Sequence, residues 1–354
     1  MKVIKIDKGK WESGLEALKK SYTLLGPKNL NHSFEFKELK ANEAPDLTGL
    51  NTRMSAKGLV YPQSQAMFTY TLDQNDADHH IMKPLDKKPS KRAVIGMRPC
   101  DADAFLLVKR NFDTPEYKDP YWIEAYEATV LIGLACTDPC GTCFCTTAGS
   151  GPASEKGLDV ILLDKKDYFI AKPITAKGEA FLSASSWTEE MNASQAEKDL
   201  QEAGSAAEKK ITSFIHTENL RDKVSMEIYN APFWEDVSFS CINCGTCTFV
   251  CPTCWCFDIQ DETHKNKGVR MRNWDSCMFP LFTLHGSGHN PRGEKVQRVR
   301  QRFMHKLKYY VDKYENGIQC VGCGRCVRSC PVNIDIRRVC ELMNHPENAT
   351  CAAQ

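Results

Sequence analysis

The sequence has no long apolar run. No stretch approaches the roughly eighteen uninterrupted apolar residues that a membrane-spanning helix needs. The first residues, MKVIKIDKGKWESG, are charged and lack the apolar segment of a secretion signal. We therefore expect a soluble, cytoplasmic protein that is not inserted in a membrane.

An excess of charge of either sign is also missing. The 46 Lys and Arg residues almost balance the 45 Asp and Glu residues, which leaves a formal net charge of +1. A nucleic-acid-binding protein would present a strongly basic face, so we expect no nucleic-acid partner and disfavour a DNA-binding regulator.

Nucleotide-binding fingerprints are absent as well. The segments GSGPAS and GSGHNPRG depart from the G-x-G-x-x-G register, and no G-x4-G-K-[ST] motif occurs. Nothing in the sequence therefore indicates that this chain binds a nucleotide of its own.

Cysteine, in contrast, is abundant, with 18 cysteines among 354 residues. In a short secreted chain such a number would indicate disulfides. In a long chain without an export signal it indicates metal or redox chemistry with reduced thiols. The length allows two or three domains.

The pattern of apolar runs divides the chain into an early and a late half. The runs RAVIGM, ATVLIGLA and LDVILLD, separated by helical segments, predict an α/β domain over residues 1–235. Residues 189–216 are rich in Ala, Glu and Lys and predict a peripheral helical arm. From about residue 236 the cysteines crowd together and strand-like runs disappear. We therefore place a boundary near Trp234 and expect a mainly α-helical, ferredoxin-like domain over residues 236–354.

Two cysteine runs in the late half share one spacing. CINCGTCTFVCP and CVGCGRCVRSCP both follow the C-x2-C-x2-C-x3-C-P pattern of bacterial ferredoxins, in which the fourth cysteine of each run ligates the other cluster. The pattern predicts two [4Fe-4S] clusters, the first on Cys241, Cys244, Cys247 and Cys330, and the second on Cys320, Cys323, Cys326 and Cys251. Zinc is the alternative, but zinc takes four ligands and needs neither the third cysteine of each run nor the distal Cys-Pro.

The two runs are far apart in sequence, with 69 positions from Cys251 to Cys320. A ferredoxin-like domain with an insertion between the runs is therefore expected. Within the insertion, EKVQRVRQRFMHKLKYYVDKY predicts a helix that packs through one apolar stripe, opposite several Arg and Lys residues. The stripe consists of Val296, Val299, Phe303 and Leu307. Three glycines are expected to let the backbone approach the clusters and direct N–H groups at sulfur, namely Gly245, Gly322 and Gly324.

A second group of cysteines lies in the early half. Cys100 follows one predicted strand, and Cys136, Cys140, Cys143 and Cys145 follow another. If these strands are parallel neighbours, both loops emerge at the same carboxyl edge of the sheet. The small residues that follow, Gly149 and Gly151 among them, are candidates for a nest of N–H donors around an anionic cluster. Spacing alone leaves three interpretations of these cysteines open. They form a third iron-sulfur site that stands apart from the ferredoxin pair, they are buried structural thiols, or they bind zinc.

The remaining cysteines have no complete ligand pattern. Cys254, Cys256 and Cys277 either face the clusters or form another redox site, but we favour buried free thiols, which behave as small apolar side chains. Cys340 and Cys351 lie near the C-terminus without ligand spacing.

Several motifs together resemble one family. PCD, C…TCFC…GSGP, CPTCWCFD, WDSCMF, RFMHK and CVGCGRCVRSCP, in this order, resemble the iron-sulfur β subunit of cytoplasmic sulfhydrogenases. They are also similar to the A subunit of anaerobic sulfite reductase and to related subunits of flavin and heterodisulfide reductase complexes. The resemblance covers roughly residues 55–340, and it is the combination of motifs that is specific.

The resemblance implies an electron-transfer subunit, a relay between a flavin- and NAD(P)-binding subunit and a catalytic subunit of a hydrogenase or sulfur-compound reductase. It further implies a third cluster, of the [4Fe-4S] type, whose ligands are Cys100, Cys136, Cys143 and Cys145. Cys140 has no counterpart and is expected to be a spare thiol. The alternative is a reductase that acts itself on a small sulfur compound. The terminal acceptor stays open among protons, sulfite, polysulfide and a heterodisulfide.

Overall fold

An eight-stranded sheet forms the centre of the early half in the computed structural model, which describes residues 2–31, 33–85 and 89–349. Within those residues the strands are β1 Val3–Asp7, β2 Thr23–Leu30, β3 Ser33–Glu38, β4 Ser64–Thr71, β5 Lys83–Pro84, β6 Arg92–Met97, β7 Thr129–Leu134, β8 Val160–Asp164, β9 Tyr168–Pro173, β10 Glu190–Met191, β11 Phe257–His264 and β12 Lys267–Trp274. The large sheet has the order β10-β1-β9-β8-β7-β6-β2-β3. Its central strands β8, β7, β6 and β2 run parallel.

The central strands are apolar on both faces, as strands of a parallel sheet covered on both sides must be. All six residues of β7 are buried, and Leu131 and Ile132 belong to the cores on opposite faces of the sheet. The predicted α/β architecture of the early half is therefore confirmed.

Helices of the early half cover both faces of this sheet, and further helices form the late half. In the described residues they are α1 Trp11–Leu18, α2 Lys57–Val60, α3 Pro99–Phe112, α4 Pro120–Glu127, α5 Ala176–Ser183, α6 Ala193–Glu208, α7 Leu220–Lys223, α8 Met226–Tyr229, α9 Phe233–Phe239, α10 Thr246–Phe249, α11 Lys295–Met304, α12 Tyr310–Tyr314, α13 Arg325–Arg328 and α14 Ile336–Asn344. Single 3-10 turns span Lys8–Lys10, Cys145–Ala148 and Pro346–Asn348, and a π-helical turn spans His305–Tyr309. In the described ranges no helix combines the length and the apolarity that crossing a membrane requires.

The helix predicted within residues 189–216 is α6, and it is less peripheral than expected. Its Ala196 and Leu200 are buried in the same core as Phe105 of α3. The apolar face of α6 therefore covers one face of the sheet.

The late half has a core of its own, built around a long basic helix of residues 295–314. This helix consists of α11, the π-helical turn and α12 in succession. Val299, Phe303 and Leu307 of the predicted stripe are buried and Val296 is half-buried, so the predicted packing face is correct.

A second, antiparallel sheet connects the two halves, in the order β11-β12-β4-β5. β12 pairs with β4 along almost its whole length, from Lys267 opposite Thr71 to Asn273 opposite Ser64. The expectation that strands end before residue 236 was therefore wrong. The β11–β12 hairpin is polar and every residue of β11 is exposed, so it contains no apolar run of the kind found in the central sheet.

Candidate iron-sulfur sites

Both ferredoxin runs fold in the same way. Gly245 and Gly324 have positive φ values of +72° and +70°, and each precedes a four-residue helix, α10 or α13. In both runs the N–H two residues after a cysteine donates a hydrogen bond to its sulfur. These pairs are Asn243 to Cys241, Thr246 to Cys244, Gly322 to Cys320 and Arg325 to Cys323. Such hydrogen bonds stabilise negative charge on a cluster.

The first cavity, here called the outer site, joins cysteines from both runs. It is lined by Cys241, Cys244 and Cys247 of the first run and by Cys330 of the second. Cys244 is exposed, and Arg302 lies on the cavity wall. These are the four cysteines that the sequence assigns to the first cluster.

The second cavity, here called the middle site, shows the reciprocal combination. It is lined by Cys320, Cys323 and Cys326 of the second run and by Cys251 of the first. Lys306 lies on the same wall. Again the four cysteines are those that the sequence assigns to one cluster.

The third cavity lies at the carboxyl edge of the large sheet. β6 and β7 are parallel neighbours, with Met97 opposite Gly133, so the loops that follow them emerge side by side. The cavity between these loops, here called the N-terminal site, is lined by Cys100, Cys136, Cys140, Cys143 and Cys145. The four predicted ligands therefore come together, and Cys140, expected to be spare, lies on the same cavity.

The N-terminal site is not separate from the ferredoxin pair. Cys323 lines both this cavity and the middle site, and Cys100 packs directly against Cys323 and Val321. The expectation that a third site would stand apart is therefore wrong. Counted together with the solvent at their mouths, the three cavities have similar empty volumes of about 400, 320 and 380 Å³ for the outer, middle and N-terminal sites.

Two glycines permit this close approach of the two halves. A Cβ atom on Gly322 would lie 2.5 Å from the carbonyl carbon of Phe144, and one on Gly324 would lie 2.6 Å from the carbonyl oxygen of Thr142. The Phe144 N–H donates to the Gly322 carbonyl oxygen at 2.9 Å. Gly322 and Gly324 therefore leave room for the loop that carries Cys143 and Cys145. In addition, the Gly322 N–H donates a hydrogen bond to the Cys320 sulfur.

The other predicted glycines have different surroundings. Gly245 faces the Phe279 ring, which a Cβ atom would approach to 2.8 Å. Gly151 lines the N-terminal site, whereas Gly149, with φ of +81°, ends the 3-10 turn and has open space on its side-chain face. The carbonyl of Gly149 accepts a hydrogen bond from Lys156 at 2.8 Å.

Buried cations surround these cavities, and sequence reasoning missed them. Arg302 and Lys306 belong to the long basic helix but are only 4% and 3% exposed, although the pattern placed such residues opposite the buried stripe. Lys57, from α2 of the early half, is 5% exposed. No local signal marks these residues, because charged side chains on an amphipathic helix normally face solvent.

The charges fit anionic groups in the cavities. Two nitrogens of Arg302, Nε and one guanidinium NH2, have no hydrogen-bond partner among the described residues. An unpaired buried cation is costly, whereas a cubane with four thiolate ligands carries net negative charge. The arrangement of Arg302 between cysteines of the outer and middle sites therefore suits iron-sulfur clusters.

Several of the cavity cysteines are held in a state that favours the thiol, whereas the pKa values of Cys140, Cys244 and Cys251 are lowered. Burial raises the pKa of Cys145 and Cys326 to about 12 and that of Cys320 to about 11. Burial also raises the pKa of Cys100 well above its usual value. Because metal ligation requires thiolates, cluster binding at these positions must release protons.

One buried ion pair ties the two halves together beside the sites. Arg325 and Asp101 are each about 1% exposed in their side chains, and Arg325 Nη1 lies 2.6 Å from Asp101 Oδ1. Arg325 Nε also donates to the Thr52 carbonyl oxygen at 2.9 Å. Asp101 adjoins Cys100 and Arg325 adjoins Cys326, so this pair fixes the N-terminal loop relative to the second ferredoxin run.

The remaining cysteines do not line the three cavities. Cys256 and Cys277 lie next to each other at the base of the β11–β12 hairpin, and a hydrogen bond from the Cys277 thiol lowers the pKa of Cys256 to about 7. The Cys254 carbonyl accepts a hydrogen bond from Lys57 at 3.0 Å. Cys340 is buried in the late core and donates to the His216 carbonyl at 3.1 Å. Cys351 lies outside the described residues.

The class of this domain is defined by a family comparison. Residues 240–334, which include both ferredoxin runs and the hairpin between them, match the family described as a 4Fe-4S dicluster domain. A comparison with solved structures finds no match.

Beyond the domain, a curated protein is similar along almost the whole chain. It is the Sulfhydrogenase 2 subunit beta of Pyrococcus furiosus (strain ATCC 43587 / DSM 3638 / JCM 8422 / Vc1), which is 28% identical over 341 residues. The alignment covers 95% of this chain and 96% of the relative. The predicted resemblance to sulfhydrogenase β subunits is therefore confirmed, and it extends through both halves.

Proposed function

We propose that this chain is a cytoplasmic electron-transfer subunit that carries three [4Fe-4S] clusters. The observation that supports this most strongly is the series of three cysteine-lined cavities in which Cys323 lines both the middle and the N-terminal site. Each cluster, when bound, accepts and releases single electrons. The chain's own residues supply thiolates, N–H donors and buried cations around those positions.

The ligand sets proposed here combine spacing with cavity lining. The outer cluster is held by Cys241, Cys244, Cys247 and Cys330, and the middle cluster by Cys251, Cys320, Cys323 and Cys326. The N-terminal cluster is held by Cys100, Cys136, Cys143 and Cys145. Cys140 makes a fifth thiol on the last cavity and is a reserve ligand there.

The proposed partners are a flavin- and NAD(P)-binding subunit on one side and a catalytic subunit on the other. The relative is a sulfhydrogenase subunit by name, which supports the proposal that this chain belongs to a multi-subunit oxidoreductase. The missing nucleotide fingerprints support a separate NAD(P)-binding partner. Genes for such partners beside this gene would be consistent with the proposal.

The test is reduction of the full chain, purified without air. We expect dithionite to bleach the cluster absorbance, and NADH or NADPH alone to leave it unchanged. Addition of a flavoprotein, ferredoxin–NADP⁺ reductase, should then allow NADPH to bleach it. Bleaching by NADH with the flavin-free chain alone would contradict the proposal. Multiple turnovers of polysulfide or sulfite by the dithionite-reduced chain would instead favour the alternative, a reductase that acts on small sulfur compounds.

A further inference from the structure

Lys306 is a buried cation in direct contact with a proposed cluster ligand. Its Nζ lies 3.3 Å from Cys251 Sγ, and also donates to Thr253 Oγ1 at 3.0 Å and to the Gln319 carbonyl oxygen at 3.1 Å. None of these partners is a carboxylate, so the ammonium charge is not neutralised by an ion pair with them. At 3% exposure, water screens this charge little.

A second buried ammonium approaches the same region from the early half. Lys57 Nζ donates to the Cys254 carbonyl at 3.0 Å and lies 3.8 Å from the centroid of the Trp274 ring. It too contacts only uncharged groups in these interactions. Burial lowers the pKa of Lys57 to about 8, so this lysine is mainly charged only below that pH. Below pH 8, two lysine ammonium groups from different halves of the chain therefore lie beside the segment that contains Cys251.

The outer site is placed differently. Cys244 is exposed, so solvent reaches that cavity and screens charges around it. Arg302 lies on the wall of the outer cavity, and its positive charge favours the thiolate of both Cys247 in the outer site and Cys326 in the middle site. The middle site therefore differs from the outer site in the additional positive charge of Lys306, to which Lys57 adds.

We propose that Lys306, assisted by Lys57, raises the reduction potential of the middle cluster, so that this cluster is reduced before the outer one. The inference rests on the proposed function, because it concerns clusters at the assigned cysteines. An electron added to a cluster increases its negative charge, and a desolvated ammonium at hydrogen-bond distance from a ligand sulfur stabilises that charge. Between these two clusters, the electron then rests on the middle one.

The experiment is a redox titration of the full chain, followed by paramagnetic resonance without air. Lys306→Met removes the charge and keeps a long apolar side chain. It should lower the potential of one reduction wave by at least 59 mV, which corresponds to a tenfold change in the ratio of oxidised to reduced cluster. The matched control is Lys308→Met in the same helix, where the lysine forms an ion pair with Asp312 at 3.0 Å and contacts no cysteine. That control should move no wave.

A Cys244→Ser variant shows which reduction step belongs to the outer cluster, because this substitution alters the potential of that cluster alone. Several results would overturn the proposal: an unmoved or raised middle wave in Lys306→Met, an equal shift in Lys308→Met, or reduction of the outer cluster first in the unaltered chain. If Lys306→Met loses four irons, Lys57→Met is titrated instead, with a downward shift expected and no shift contradicting the proposal. A purely structural role of Lys306 would change stability without moving a potential. Complete absence of iron in the unaltered chain would refute the proposed function itself.

Discussion

Buried charged and titratable side chains are concentrated on the long basic helix. Arg302 and Lys306 are buried and His305 is half-buried, and the three lie within about one and a half turns, where the helix passes into a π-helical turn. Their burial could not be predicted from the sequence, because a stripe of Val and Phe indicates which side of a helix packs but not that charged neighbours are also covered. Only the cavities lined by cysteine explain why cations are tolerated there.

His305 leads to a prediction about pH. Burial, with added repulsion from Lys306, Arg292 and Lys313, lowers its pKa from 6.5 to about 4. The unfolded chain therefore takes up a proton on this residue between pH 6.5 and 4 while the folded chain does not, so stability falls as the pH is lowered through that window. We expect the free energy of unfolding to decrease from pH 7.5 to pH 5.5 by about 1 kcal/mol more in the unaltered chain than in His305→Gln.

The measurement is urea unfolding at both pH values without air. The control is His289→Gln, since His289 is exposed in a loop, and this variant should keep the pH dependence of the unaltered chain. Identical pH dependence in His305→Gln and in the unaltered chain would show that His305 is protonated equally in the folded and unfolded states.

At the scale of elements, the loops after β6 and β7 were predictable and the β11–β12 hairpin was not. Apolar β-branched runs identified β6 and β7, and the rule that parallel strands place their loops at one edge brought Cys100 and Cys136 together. The hairpin alternates Val269 and Met271 with arginines, which is a weak strand signal. Besides β11, its strand β12 pairs with β4, about 200 residues earlier in the chain. Pairing over such a distance cannot be inferred from local composition.

Contact between the N-terminal cysteine loop and the second ferredoxin run gives a prediction for Gly322. A Cβ atom there would overlap the Phe144 backbone, and φ is +63°. We expect Gly322→Ala to lower the free energy of local opening by about 1–3 kcal/mol more than a control of similar backbone strain, because the N-terminal cysteine loop must move away from the new methyl group. The control is Gly317→Ala, where φ is +70° and a Cβ atom meets nothing within 4 Å.

Hydrogen exchange of the Phe144 amide reports this directly, since that N–H bonds to the Gly322 carbonyl. Exchange should accelerate in Gly322→Ala and stay unchanged in Gly317→Ala. Equal exchange rates in the two variants would mean that the contact between Gly322 and the Phe144 backbone does not stabilise the N-terminal cysteine loop.

At the scale of the whole molecule, several contacts among the described residues join the two halves, and three of them matter most for the position of the sites. These are the β4–β12 pairing, the Asp101–Arg325 ion pair and the contact of Gly322 with Phe144. The sequence could assign cysteines to the outer and middle sites because the ferredoxin spacing fixes which cysteine reaches across. It could not place the N-terminal site against Cys323, because that position depends on how the halves dock.

The number of clusters in the full chain, purified without air, tests the central claim most directly. Mössbauer spectroscopy with iron analysis should find about twelve irons per chain, all in [4Fe-4S] clusters, since each of three cubanes holds four. The double variant Cys143→Ser/Cys145→Ser should keep about eight, because only three thiols then remain on the N-terminal cavity besides Cys323, which the middle cluster uses. Cys340→Ser, a buried cysteine away from the cavities, should keep all twelve. Eight irons in the unaltered chain, or twelve in the double variant, would contradict a third cluster and with it the three-site relay.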